Sequence, residues 1–426
     1  MRLLNRNMTL FEGEQNGRYE TDHLHMILNE HIDFSEEGLG DDKSFSIFVH
    51  EYVHYYQHFA TLYGSQYCKM SNLLFIETRE FLKRAQKIEL PFGIWEHHEG
   101  IANYRKRVND IRGSIDCSHI IGDIEIDRRE IEIADKEKKA VMIGVYDYSE
   151  NEAYENGFYF GYYCIIESMA HMIQKMIYPD AEHNQIPYEA VEIVCDYCCP
   201  EIKDDARQMV TMCMCALMFD NPGVGFFTVV DFAKEHTNLK GVAFFQEFIQ
   251  TSSVNYKGEK HSMDYIGQEM LNEYKLSLQA MCGCSLEYYN KVVDSYIQDF
   301  QSGICGLLMW VYTGDINDRK QLMALVDAYG LPYIETPEMT ILPKNTNTGH
   351  PKNETAALAG FELIFRRLQK IDGDECPMYR VCKLGRFTDT THVDELCGKE
   401  QWKKECECLM VHALKYYELK EKVFIA

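Results

Sequence analysis

Ser44-Phe45-Ser46-Ile47-Phe48-Val49-His50-Glu51-Tyr52-Val53-His54-Tyr55-Tyr56-Gln57-His58-Phe59 is the run that organises this chain. It is apolar and aromatic almost throughout, which predicts a buried helix over 43–63. Asp41, Asp42 and Ser44 supply N-cap chemistry upstream, and Gly64 supplies a stop, with Tyr63 as the last helical residue. Positions i and i+4 of a helix share a face, so His50 and His54 aim one ring nitrogen each at a common point. Glu51 stands beside them. Two imidazoles and a carboxylate in apolar surroundings need partners, and a metal ion supplies them. The pattern H-E-x-x-H therefore predicts a catalytic zinc that lowers the pKa of a water to roughly 7, with Glu51 as general base. About one such ion per chain is expected, roughly 2.0–2.2 Å from its ligands.

The rest of the chain limits the reading. Its 426 residues can enclose a large core in two or three subdomains. A net charge of −24 argues against nucleic acid and anionic lipid as partners. Met1 to Gln15 holds no apolar signal core, and no run reaches membrane-spanning length, so a cytoplasmic, membrane-free protein is expected. Sixteen cysteines in such a chain point to metal binding or burial before disulfides.

Periodicity predicts a mainly α (α+β) fold. Met8–Phe11 and His25–Leu28 read as short strands. Helices are expected over 66–88 and 99–112, and a long one over 151–177. Between them, Ile124–Ala134 and Lys139–Tyr148 alternate apolar and charged residues and predict an inserted β-hairpin. Further helices are expected near 187–196, 202–219, 226–250, 262–280, 285–303, 317–328 and 354–371. Pro222-Gly223-Val224-Gly225 reads as a turn. The stretch 336–353, with its prolines and Thr/Asn-rich middle, reads as a linker between a region 1–335 and a Cys-rich segment 354–426.

A catalytic zinc needs a third protein ligand. His58 lies one turn beyond His54 and cannot reach the same ion as His50, so it is expected behind the ligands or in the core. Glu167, in Tyr162-Tyr163-Cys164-Ile165-Ile166-Glu167-Ser168-Met169-Ala170-His171, is a carboxylate in a strongly apolar helix, which is costly unless paired or bound to metal. Ala170 lets that helix come close. Glu152 and Glu155 are competing ligands. In these two helices, about forty residues, the chain resembles the gluzincin group of zinc metallopeptidases, and bacterial proteins carrying an H-E-Y-x-H-Y-x-Q helix. The resemblance implies a zincin-like core, Zn2+ held by His50, His54 and Glu167, and a protein or peptide substrate. It implies an oxyanion-stabilising Tyr or His, for which Tyr163 is the candidate and Tyr159 the next. It also implies an Asp four residues beyond the glutamate. That position is His171, a departure, and His171 is expected behind the ligands.

Cys376, Cys382, Cys397, Cys406 and Cys408 lie within 33 residues, spaced C-x5-C-x14-C-x8-C-x-C. Four thiolates make a closed structural zinc site, and Cys376, Cys382, Cys397 and Cys406 are the expected set. Cys195-Asp196-Tyr197-Cys198-Cys199 contains C-x-x-C in helical surroundings unlike a thioredoxin setting. Three functions follow: a zinc peptidase, a zinc hydrolase of a small molecule, or a non-catalytic binding or regulatory protein on the same scaffold. The first leaves room for a regulatory partner.

Overall fold

The run that opens the sequence folds as α1, Asp42–Ala60, with Asp41 as its cap accepting from the Ser44 amide at 2.8 Å. This computed structural model describes residues 17–20, 24–29, 39–92, 99–115, 123–146, 156–336, 340–341, 352–370, 373–379, 382, 393–405 and 408–425. Predicted strand Met8–Phe11, and Glu152, Glu155 and Cys406, lie outside them.

α1 ends earlier than Gly64. Thr61 leaves the helical region (φ −128°, ψ 151°), donates its hydroxyl to the Gln57 carbonyl at 2.7 Å, and accepts from the Gly64 amide at 3.0 Å. One threonine thus closes α1 and caps α2, Leu62–Arg84. Gly64 sits inside α2, where an added Cβ would stand 2.5 Å from the Gln57 carbonyl oxygen. Its role is close approach, not termination.

The strands are short. β1 (Gly17–Glu20) pairs antiparallel with β2 (His25–Leu28). β3 spans Lys87–Glu89, followed by helix α3, Glu99–Asp110. The expected hairpin over 121–147 is corrected. β4 (Asp123–Glu125) and β5 (Val141–Tyr146) are strands, but Arg128–Glu137 between them is helix α4. Asp127 decides this by capping the Arg129 amide, while Ile131 and Ala134 take helical spacing against the core. The long helix expected from 151 is shorter: Asn156–Phe160 is β6, paired with β5, and α5 begins at Tyr162 and runs to Ile177. Gly161 separates them, where a Cβ would lie 2.3 Å from the Ile111 carbonyl oxygen.

Beyond α5 the chain is helical: α6 Ala190–Cys198, α7 Ala206–Ala216, α8 Pro222–Glu235 and α9 Gly241–Thr251. Pro222-Gly223-Val224-Gly225 is the first turn of α8, not a connecting turn, with Pro222 placed where its missing amide costs nothing. The helix expected over 226–250 is therefore two. A β7–β8 hairpin (Ser253–Tyr256, Glu259–Ser262) leads to α10 Met263–Cys282, α11 Glu287–Ser302, α12 Gly306–Thr313 and α13 Arg319–Tyr329. α12 has no counterpart among the expected helices. β9 (Tyr333–Glu335) lies parallel to β2 and antiparallel to β10 (Thr340–Ile341), giving the sheet order β1-β2-β9-β10. α14 (Lys352–Leu368), α15 (Leu409–Tyr416) and β11 (Val423–Ile425), parallel to β3, complete the fold.

The protein is mainly α with small sheets. Among the described residues no helix is long and apolar enough to cross a membrane. α1 lies at the centre, packed against α5, α2, α11 and β1. Its faces bury Tyr52, Tyr55, Tyr56 and Phe59, and Tyr56 shares Asp299 with Tyr329 at 3.1 and 2.8–2.9 Å.

Candidate metal centre

Two helices build the centre. α1 brings His50 and His54 to one face, one turn apart, and α5 packs across that face. Ala170 on α5 is fully buried. His50 Nε2 and His54 Nε2 stand 3.2 Å apart, and Glu167 Oε2 is 3.4 Å from each. Donors bound tetrahedrally at about 2.05 Å are separated by about 3.3 Å, so this triangle has the dimensions of a zinc face.

The protons on the imidazoles are fixed from behind. His50 Nδ1 lies 3.0 Å from Gln174 Oε1, and His54 Nδ1 lies 3.0 Å from Gln57 Oε1. An amide oxygen only accepts, so each Nδ1 carries a proton and each Nε2 is turned toward the other and toward Glu167. A proton or a metal ion can lie among these three atoms, and a metal would replace the proton that His54 holds there. The donor set therefore fits zinc. Gln57 is itself anchored by donating Nε2 to the Ile166 carbonyl at 3.2 Å, which ties α1 to α5 next to Glu167.

Electrostatics follow from burial and charge. Burial pushes Glu51 up, against the pull of His50 and His54. For Glu167 burial acts upward too, but His54 and His50 overcome it and hold the carboxyl below the usual range. Burial alone would lower His54, yet Glu167 and Glu51 hold it up at about 9. Glu51 reaches toward β1, whose Tyr19 amide donates to it. Gly17 makes room: an added Cβ would lie 3.0 Å from both Glu51 Cγ and Oε1.

The other expected site residues fall as follows. Tyr163 lies one turn before Glu167 on α5, its hydroxyl engaged with that carboxylate and its ring 5.1 Å under the Arg112 guanidinium. Tyr159 lies on β6 and is half exposed. His171 is buried behind the ligands, its ring edge-on to His183 at 4.9 Å and to Tyr188 at 5.7 Å. Burial lowers it to about 3, so it is neutral. His58 lies away from the triangle, between Tyr19 and Tyr67, lowered to about 3 by burial and then by His54.

Four contributors escaped the sequence reading: Gln57, Gln174, His183 and Tyr188. His183 stacks on Tyr188 at 4.3 Å and meets Gln174 Oε1 at 3.1 Å. It is held neutral, lowered to about 4 by partial burial and then by His50. Burial first, then the charges of Glu167 and Glu51, raise the Tyr188 hydroxyl. Gln57 and Gln174 carried a readable signal, lying three residues past each of His54 and His171, so that an amide lies one turn along the same helix face.

In the tail, the Cys376 amide donates to the Cys397 carbonyl at 2.8 Å. Burial first, then the thiols of Cys397, Cys408 and Cys382, pushes the Cys376 thiol up to about 12. Lys404, buried, brings Nζ to 2.9 Å from Cys397 Sγ. Among the described residues no three of these sulfurs lie within 4.8 Å of one another.

No family model, no curated protein and no solved structure matches the chain.

Proposed function

We propose that this chain is a zinc-dependent hydrolase and that its substrate is a peptide or protein. The observation that carries the reading is the pair of Nε2 atoms 3.2 Å apart, each ring held at Nδ1 by an amide oxygen and the triangle closed by Glu167. A zinc ion held by His50, His54 and Glu167 would supply Lewis acidity and a water acidic enough to attack at neutral pH.

The chain's own residues do the rest. Glu51 takes the proton of the attacking water on its carboxylate and returns it to the departing amine. Burial raises its pKa in the direction that suits such a shuttle. Tyr188, whose ring stands 6.1 Å from that of His50, donates to the oxygen on which negative charge develops. Tyr163 holds Glu167 in place from the preceding turn. β1 favours a peptide over a small molecule. Among the described residues it is an edge strand of its sheet, and its Tyr19 amide reaches Glu51. An extended chain laid along that edge would bring its carbonyls past Glu51.

The test is Glu51→Gln. Peptide-library cleavage should fall roughly 10²–10⁴-fold while zinc content and the melting curve hold. Near-normal cleavage by the variant would remove Glu51 from the mechanism. Turnover of small amides or esters with no cleavage of any peptide would favour the small-molecule reading.

A further inference from the structure

A second set of metal-ligating side chains lies outside the α1–α5 centre. One ring nitrogen of His25 (β2) and one carboxylate oxygen each from Glu20 (β1) and Glu362 (α14) lie within 4.8 Å of one another. All three side chains are buried, His25 to 2% exposure. His25 Nδ1 is 3.0 Å from Glu362 Oε2, and Nε2 is 3.3 Å from Glu335 Oε2.

These are not ordinary hydrogen bonds. Neither ring nitrogen of His25 has a partner in hydrogen-bonding geometry, although carboxylate oxygens stand within reach. The ring cannot turn to correct this. It is stacked on Tyr333 at 4.1 Å and 14°, and the Tyr333 hydroxyl is itself committed to Glu362. A nitrogen and an oxygen at 3.0 Å that do not point at each other are arranged like neighbouring donors around a third atom. Octahedral donors at about 2.1 Å are separated by about 3.0 Å. Glu20 also meets Arg18 at 3.0 Å and Glu362 meets Arg366 at 3.5 Å, and against burial Glu362, Glu335 and Glu20 hold His25 up at about 9, so a metal ion would bind there in place of the ring's proton.

We infer that Glu20, His25 and Glu362 bind a second divalent cation. One imidazole and two carboxylates form a harder donor set than the first centre, suited to ions of the manganese class. The ion would join three segments distant in sequence, β1, β2 and α14. It would fix Glu20, next to the Tyr19 amide that contacts Glu51. The inference stands on its own residues and does not depend on the function proposed above.

Mn2+ is the probe, because the thiolates of the tail take it poorly. Full-length protein stripped with chelator is titrated with Mn2+, and bound ions are counted by electron paramagnetic resonance and elemental analysis. Glu362→Gln and Glu20→Gln, both near-isosteric, should each bind one ion per chain fewer than the parent. His54→Ala should keep the ion at this site. Loss of Mn2+ in His54→Ala, with uptake unchanged in Glu20→Gln and Glu362→Gln, would overturn the inference and leave the first centre standing. The reverse pattern would uphold this site. If both glutamine variants fold poorly, the parent decides. Mn2+ bound only at the first centre, in a map from manganese-soaked crystals, would make His25 an ion-paired imidazolium with no metal.

Discussion

Replacing Gln174 with leucine isolates what the amide behind His50 contributes. Gln174 Oε1 accepts from His50 Nδ1 at 3.0 Å and from His183 Nε2 at 3.1 Å. His183 sits at the exposed rim and can turn its N–H to water. His50 cannot, being only 6% exposed. Its N–H would lose its only acceptor, at a cost of about 1–3 kcal/mol, and the ring would lose the restraint that keeps its Nε2 lone pair on the metal. Removal of such an orienting partner typically weakens metal binding about 10–100-fold, or roughly 1.4–2.7 kcal/mol. Gln174→Glu retains the acceptor and should keep affinity at or above the parent value. The assay is zinc competition against a chelator of known affinity, with circular dichroism of the metal-free proteins as the control for folding. Zinc affinity in Gln174→Leu within twofold of the parent would refute the argument that these amides organise the centre.

Other expectations follow from single contacts. Gly17→Ala places a Cβ 3.0 Å from Glu51 Oε1, so turnover should fall while zinc is retained; unchanged activity would mean that β1 does not position Glu51. Asp299 is raised to about 6 by burial, which the Tyr329, Gly306 and Tyr56 donors only partly offset. Its folded pKa exceeds the unfolded value of 3.8, so its contribution to stability is complete below 3.8 and is lost as pH rises through about 6. Asp299→Asn should remove that loss, which is at most roughly 3 kcal/mol before solvent screening. Urea unfolding of both proteins at pH 4 and pH 7 measures it, and parallel pH profiles would contradict it.

Helical periodicity and one short motif made the α1 centre legible. His50, His54 and Glu51 are fixed by spacing on one helix, and Glu167 by the energetic oddity of a carboxylate in an apolar run. What was missed depends on tertiary contact. Ile-Glu-Ile alternation around 124–133 suits a strand or a helix, and Asp127 settles it only once its cap is seen. Asn156–Phe160 is as apolar as the helix after it, and becomes a strand because β5 offers it a ladder. His183 and Tyr188 follow α5 in a loop and a kinked four-residue helix, Gln185–Tyr188, too short for any periodicity to point to the metal. Gly64 reads as a stop in sequence but acts through contact with Gln57, which no local pattern encodes.

The most direct measurement is an anomalous-scattering map, recorded above and below the zinc edge, from crystals of the zinc-supplied protein. The account predicts one strong peak about 2.0–2.2 Å from His50 Nε2, His54 Nε2 and a Glu167 carboxylate oxygen, with Gln57 and Gln174 still holding the two Nδ1 atoms. Zinc-supplied protein with no peak between α1 and α5, and with His50 or His54 turned away from Glu167, would contradict it.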